Sequence, residues 1–195
     1  MSDAPLISVV VANWDRRDLL RACLASLQLQ TRQELEIIVV DNGSRDGSPD
    51  MVAAEFPHAR LIRNPDNRGY CAANNQGIAA ARGRFVALLN NDAEADPQWL
   101  EELLGAFDHG DDVGMAASKI LVWESRGTID KAGHLIYPDG QNRGRGTGEA
   151  DWGQFDRLEE TAWPDGCAAM YRKDMLEAIG GFDEDFFAYA DDAEL

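Results

Sequence analysis

The chain has 195 residues, 45% of them hydrophobic and 27% charged, enough for one core of ordinary size in a globular domain. Its formal net charge of −17 repels a phosphate backbone and excludes a nucleic-acid groove. No apolar run reaches membrane-span length and no basic leader precedes an apolar core, so neither a transmembrane span nor secretion is signalled.

Residues 6–12 are a β-prone run ending at Asn13-Trp14-Asp15. Asp15 is expected to cap a helix in which Leu19, Leu20, Cys23, Leu24 and Leu27 recur at helical spacing. A second buried-strand run, 35–40, stops at Asp41-Asn42-Gly43-Ser44, and Ser48-Pro49 opens a short helix carrying Met51, Val52 and Phe56. A third strand, 59–63, runs into turn residues 64–69, followed by an alanine-rich helix over 72–81. The run 84–89 then ends against Asn90-Asn91-Asp92, too short for a helix and apt for a buried strand. Asp96-Pro97 opens a helix with Leu100, Leu103, Leu104 and Phe107 on one face, and 113–118 makes a fifth strand. This alternation predicts an α/β fold with a mostly parallel sheet and helices on both faces.

After Lys119 the rhythm breaks, and 124–165 reads as loops with a hairpin near 134–137. A strand over 167–171 and a helix over 174–179 ending at Gly180-Gly181 close the pattern. The final segment, aromatic and acidic, is expected to pack against chain that follows, so the domain reads as C-terminally truncated. Cys23, Cys71 and Cys167 are odd in number and set among apolar residues; they predict core thiols in a reducing compartment, not a disulfide framework.

Three carboxylate-bearing positions stand at strand ends or beside them: Asp41, Asp92 and the Asp191/Asp192 pair. Open parallel sheets hold their ligands at the carboxyl edge. An acidic chain binds an anionic ligand when a divalent cation stands between its carboxylates and the ligand's phosphates. A transferase using a nucleotide-diphosphate donor needs a hydrogen-bond acceptor for base or ribose, a metal ligand and a general base, and carboxylates supply all three. Asp46 and Asp96 read as helix caps. Asp92 is less well explained that way, because the next helix already has Asp96.

Several other patterns fail. Asn42, Ser44, Asp46 and Gly47 begin a calcium loop, but its twelfth position is Ala53, with no carboxylate. Gly144, Gly146 and Gly148, with Arg143 and Arg145, follow no strand and open no helix, so they read as a solvated connection before a phosphate loop. Trp152 and Trp163 read as packing residues, and His58, His109 and His134 show no ligand spacing.

The ordered motifs Val39-Val40-Asp41-Asn42-Gly43-Ser44, Asn67-Arg68-Gly69, Leu88-Leu89-Asn90-Asn91-Asp92 and the tail from Gly180-Gly181-Phe182-Asp183-Glu184 to Asp191-Asp192 resemble the family 2 glycosyltransferases, especially the rhamnosyltransferase-like branch. The resemblance covers almost the whole chain. It implies a GT-A fold, a single Rossmann-like unit over 1–195, with 1–97 the nucleotide-sugar-binding half and 98–195 an incomplete acceptor-side half. It also implies inverting transfer of a sugar such as rhamnose from a UDP- or dTDP-sugar to a glycan or lipid-linked acceptor in cell-surface polysaccharide synthesis.

By that resemblance, Asp41 contacts the nucleotide base beside Asn13, and Asn67, Gly69 and Asn74 flank the nucleotide. Asn90 and Asp92 occupy the family's Asp-x-Asp positions, with Asn90 and Asn91 binding the nucleotide sugar and Asp92 holding a divalent cation, Mg²⁺ or Mn²⁺. Asp192 matches the general base, and Gly166, Cys167 and Asp191 stand on the acceptor side. The implied setting is the cytoplasm, with peripheral association at the inner face of the plasma membrane. Three departures stand out: Asn90 replaces the first acid of the metal motif, Asp191 replaces a usual Glu, and Glu194 replaces a usual Asp. The rival reading is a nucleotide-sugar-binding or scaffold module that keeps the fold without activity. A sugar-nucleotide pyrophosphorylase is disfavoured, because Asn13-Trp14-Asp15-Arg16-Arg17 lacks the glycines of its phosphate loop.

Overall fold

The structure, a computed structural model, describes residues 4–187 and 191–195, apart from the side chains of Asp191 and Glu194. Its elements run β1 (Ile7–Asn13), α1 (Arg17–Gln28), β2 (Leu35–Asp41), α2 (Ser48–Glu55), β3 (Arg60–Arg63), α3 (Tyr70–Ala80), β4 (Phe85–Leu89) and α4 (Trp99–Ala106). They continue with β5 (Met115–Ala117), β6 (Lys119–Val122), β7 (Ser125–Ala132), β8 (His134–Ile136), β9 (Asn142–Gly144), β10 (Ala168–Arg172), α5 (Lys173–Ile179) and α6 (Asp191–Glu194).

Six strands form one sheet in the order β3-β2-β1-β4-β10-β5. β1 to β4 are mutually parallel, whereas β10 runs antiparallel to both neighbours. Buried strands alternate their side chains between two cores. Ile7, Val9 and Val11 of β1 join Leu20, Leu24, Val52 and Leu100 on one face; Val10 joins Ile38, Val40, Ala73, Tyr171 and Leu176 on the other. That two-sided burial is why β1, β2 and β4 read as near-continuous apolar runs. The alanine-rich α3 follows from close packing, since Gly77 leaves no room for a Cβ against Val10.

Two local expectations are corrected. Asp15 does not cap α1: Arg16 takes that place, and Asp46 Oδ2 accepts from Arg17 N over 2.7 Å. Asp15 instead accepts from Arg45 N at 2.6 Å. Region 124–165 is more ordered than loops with one hairpin, because β6 and β7 form a second hairpin beside the expected β8–β9 pair. Its strands are short and irregular, which hides their periodicity. At α5, Gly180 adopts the left-handed conformation (φ 93°) and both Gly180 N and Gly181 N donate to Leu176 O, as the glycine pair predicts. Among the described residues no helix is long and apolar enough to cross a membrane.

Candidate active site

The carboxyl ends of β1, β2 and β4 meet at one edge. Asn13 and Asp41, the last residues of β1 and β2, are register partners, and both side chains are buried. Asn13 Nδ2 donates to Asp41 Oδ2 (3.0 Å) and to Ser44 Oγ (3.1 Å), while its Oδ1 accepts from Asn91 Nδ2 (2.8 Å). Ser44 N donates to the other oxygen, Asp41 Oδ1, at 2.9 Å. Asp41 is thereby tied to the residue before Asp92.

Asn42 continues the edge toward β3. Its Nδ2 donates to Gly69 O (3.0 Å) and contacts Asn67 Oδ1 (3.3 Å), which also accepts from Gly69 N. Gly69 has φ 89°, and a Cβ there would stand 2.8 Å from Phe187 O, so this position needs glycine to admit the segment that follows α5. Asn74 lies inside α3, buried, and among the described residues its Nδ2 has no hydrogen-bond partner.

On the other side, the antiparallel direction of β10 brings its entry, residues 165–167, to the same edge. Ala168 is the register partner of Leu89, and Asn90 N donates to Cys167 O at 2.8 Å. Gly166 N donates to Asp192 Oδ2 (3.2 Å), and Tyr70 Oη donates to Gly166 O (2.7 Å). The side chain of Asp191, expected on the acceptor side, lies outside the described residues.

Asp92 is exposed, and among the described residues its carboxylate accepts no hydrogen bond and meets no cation. It is near enough to Cys23 and Cys167 to disfavour their thiolates. Burial foremost, with Asp92 adding for Cys23 and Asp165 for Cys167, pushes each thiol up to about 12.

Sequence reasoning missed His134, Asp165 and Lys131. His134 Nε2 lies 3.1 Å from Asp165 Oδ2 and 4.0 Å from Asp192 Oδ2, and its Nδ1 faces Asn142 Oδ1 at 2.9 Å. Trp163 stacks on its ring with centroids 5.5 Å apart. One ligand atom each from His134, Asp165 and Asp192 falls within 4.8 Å of the others, a spacing compatible with a cation. Lys131 Nζ already stands 3.0 Å from Asp165 Oδ2 and supplies positive charge there. Burial works to raise Asp165's pKa, yet hydrogen bonds from Cys167 N, His134 and Lys131 outweigh it and hold the carboxyl below its ordinary range. The one available signal was Asp165-Gly166-Cys167 leading into an apolar strand.

The basic loop is occupied by its own contacts. Arg143 pairs with Asp139 over the Tyr137 ring, and Arg145 binds Glu159 and Ala132 O over the Phe155 ring. A depression of about 330 Å³ lined by Asp15, Arg16, Arg17, Asp18, Leu19 and Asp46 lies beside the β1 end, and a larger one of about 840 Å³ lies at the opposite, amino edge. Neither is lined by Asp41, Asp92 or Asp192, so the hydrogen-bonded network is the better guide to the site.

A parallel β3-β2-β1-β4 half, an inserted antiparallel strand and polar groups converging at the carboxyl edge define the GT-A glycosyltransferase fold. The mannosyltransferase PcManGT from Pyrobaculum calidifontis, in complex with GDP-Man and Mn²⁺, superposes with a TM-score of 0.68 at 23% identity, over 97% of this chain and 50% of that one. S. aureus TarS 1–349 in complex with UDP gives 0.68 at 19%, over 95% and 52%. The chain belongs to glycosyl transferase family 2, whose model matches residues 8–180.

Its relatives include the O-antigen biosynthesis protein RfbC of Myxococcus xanthus, 30% identical over 98% of this chain and 16% of that protein. Another is the N-acetylglucosaminyl-diphospho-decaprenol L-rhamnosyltransferase of Mycobacterium tuberculosis, 26% identical over 97% and 69%. The chain thus spans a small part of RfbC and about half of the two solved chains.

Proposed function

We propose that the chain is an inverting glycosyltransferase domain, moving a sugar from a nucleoside diphosphate donor, UDP or dTDP, to a hydroxyl of a glycan or lipid-linked acceptor at the cytoplasmic face of the membrane. The observation that carries the reading is the continuous polar edge. Asp41 reaches Asn91 through Asn13, Asn90 reaches Cys167, and Gly166 reaches Asp192. Residues 1–97 would form the donor half and 98–195 the acceptor side, Gly166, Cys167 and Asp191 included. Polysaccharide synthesis is the setting the relatives suggest.

In this reading Asp41 and Asn13 bind the base, Asn67, Gly69 and Asn74 bound the nucleotide pocket, and Asn91 holds Asn13 in register. Asp192 takes the proton of the acceptor hydroxyl. Its Oδ2 is held by Gly166 N, and among the described residues Oδ1 carries no hydrogen bond, leaving it for the acceptor. The acceptor oxygen bonds to the anomeric carbon as the bond to the diphosphate breaks, and the diphosphate departs with the electron pair. In-line attack inverts the carbon.

The Asn90 and Asp92 side chains fit a hard divalent cation: both offer oxygen ligands, and neither is engaged by another described side chain. When bound, Mg²⁺ or Mn²⁺ would supply Lewis-acid stabilisation of the diphosphate.

The test pairs thermal shifts against UDP, dTDP and GDP, with and without Mn²⁺, with a transfer assay on wild type and Asp192→Asn. Metal-dependent stabilisation by one nucleotide is expected through mass action. Loss of the base should lower transfer by roughly 10²–10⁴-fold. Binding without turnover would favour the non-catalytic module, and no binding to any nucleotide would end the proposal.

A further inference from the structure

We infer that Tyr70 is a positioning residue that couples occupancy of the nucleotide edge to the placement of Asp192; the inference rests on the reading of Asp192 as the base. Tyr70 opens α3 directly after the Asn67-Arg68-Gly69 loop, and it touches the Asp192 side of the cleft at two points. Its backbone N donates to Phe187 O at 2.8 Å, shortly before Asp192 in the chain. Its Oη donates to Gly166 O at 2.7 Å, and the N–H of that same Gly166 donates to Asp192 Oδ2.

The packing around this relay is close on both sides. A Cβ at Gly166 would stand 3.4 Å from Tyr70 Oη and 3.8 Å from Asp192 Cβ, and one at Gly69 would collide with Phe187. Behind Tyr70, Gly69 O and Asn67 Oδ1 are held by Asn42 Nδ2, and Asn42 adjoins Asp41. Hydrogen bonds from Asn42 to Asn67 and Gly69, the peptide bond from Gly69 to Tyr70, and hydrogen bonds from Tyr70 to Gly166 and from Gly166 to Asp192 therefore make one connected path. A ligand that draws Asn67 or Asn42 toward itself acts on Tyr70, and Tyr70 acts on the backbone amide that orients the Asp192 carboxylate. Replacing the phenol hydroxyl removes the Tyr70–Gly166 link and leaves the donor-side and Asp192 side chains in place.

Hydrogen–deuterium exchange on the whole chain, with and without UDP, dTDP or GDP plus Mn²⁺, tests this with Tyr70→Phe beside wild type. In wild type, the nucleotide that binds should slow exchange in peptides covering residues 161–172. In Tyr70→Phe that protection should vanish, while calorimetry gives a nucleotide Kd within about twofold of wild type. In a transfer assay kcat should fall on the order of tenfold, the scale of one neutral hydrogen bond, with donor KM unchanged. A purely structural role would move Kd and thermal stability instead. Nucleotide binding to wild type without protection of 161–172, or a Tyr70→Phe kcat equal to wild type, overturns the coupling and leaves the transferase reading intact. Absence of any nucleotide binding brings down that reading, and the coupling with it.

Discussion

Asn13 and Asp41 sit side by side at the ends of adjacent parallel strands, joined by a 3.0 Å hydrogen bond between side chains that are each 2% exposed. A buried carboxylate is costly unless its oxygens are satisfied, and here Asn13 and Ser44 N divide them. Asn13→Ala should destabilise the fold by about 1–3 kcal/mol, the cost of stranding buried partners. Urea denaturation at pH 7 measures it; a midpoint equal to wild type would mean that the network adds nothing to stability.

The metal reading predicts a narrower outcome at Asp92. Because that side chain is exposed and unengaged, Asp92→Ala should leave thermal stability within about 0.5 kcal/mol of wild type, as for a surface substitution. It should nonetheless abolish the Mn²⁺ dependence of nucleotide binding by calorimetry. Unchanged metal dependence would move the cation elsewhere, with the His134, Asp165 and Asp192 group the next place to look.

Acid should act through Asp165. Its folded pKa lies below its unfolded value of about 3.9, so its contribution is complete above that value and is lost as pH falls through the folded pKa. Lys131, raised mainly by Asp165 against the opposing effect of burial, contributes fully below about 10.4 and loses its part only as pH rises through its own folded value. Asp165→Asn should therefore be less stable than wild type at pH 7 and flatter below about pH 4. Denaturation midpoints at pH 7, 4 and 3 would show it, and parallel curves would count against the assignment.

Thiol chemistry offers an independent check on burial. With pKa values pushed up to about 12, Cys23 and Cys167 carry very little thiolate at pH 8. Alkylation of either should run on the order of 10³ slower in the native protein than in urea, from the thiolate fractions alone. Site-resolved mass spectrometry reads the rates. Fast native labelling at Cys167 would show that the β10 entry opens readily.

Much of the sheet's carboxyl edge was legible from local pattern. The runs at β1, β2 and β4 each stop at a polar residue, and Asp41 and Asn90 to Asp92 stood out because two-sided burial makes the strand end abrupt, whereas Asn13 entered as a site residue through the family resemblance. Asp46 was expected as a cap, but Gly47 takes the N-cap place of α2 and Asp46, one residue earlier, bridges two helix starts. It accepts from Ser48 at the start of α2 and from Arg17 at the start of α1, and the second partner is distant in sequence. Gln30 is similar: it is buried, and its Oε1 accepts from Leu100 N near the start of α4, with no short motif to announce it.

Hydrophobic period and turn chemistry, both local, were enough to specify the class of sheet, the order of its first elements and which side chains stand at its carboxyl edge. They could not specify that β10 enters between β4 and β5 in the opposite direction, nor that His134 and Asp165 gather at Asp192 while Tyr70 reaches it through Gly166. Those outcomes come from backbone pairing and packing between segments far apart along the chain. An apolar run has the same period whichever way it is threaded into a sheet.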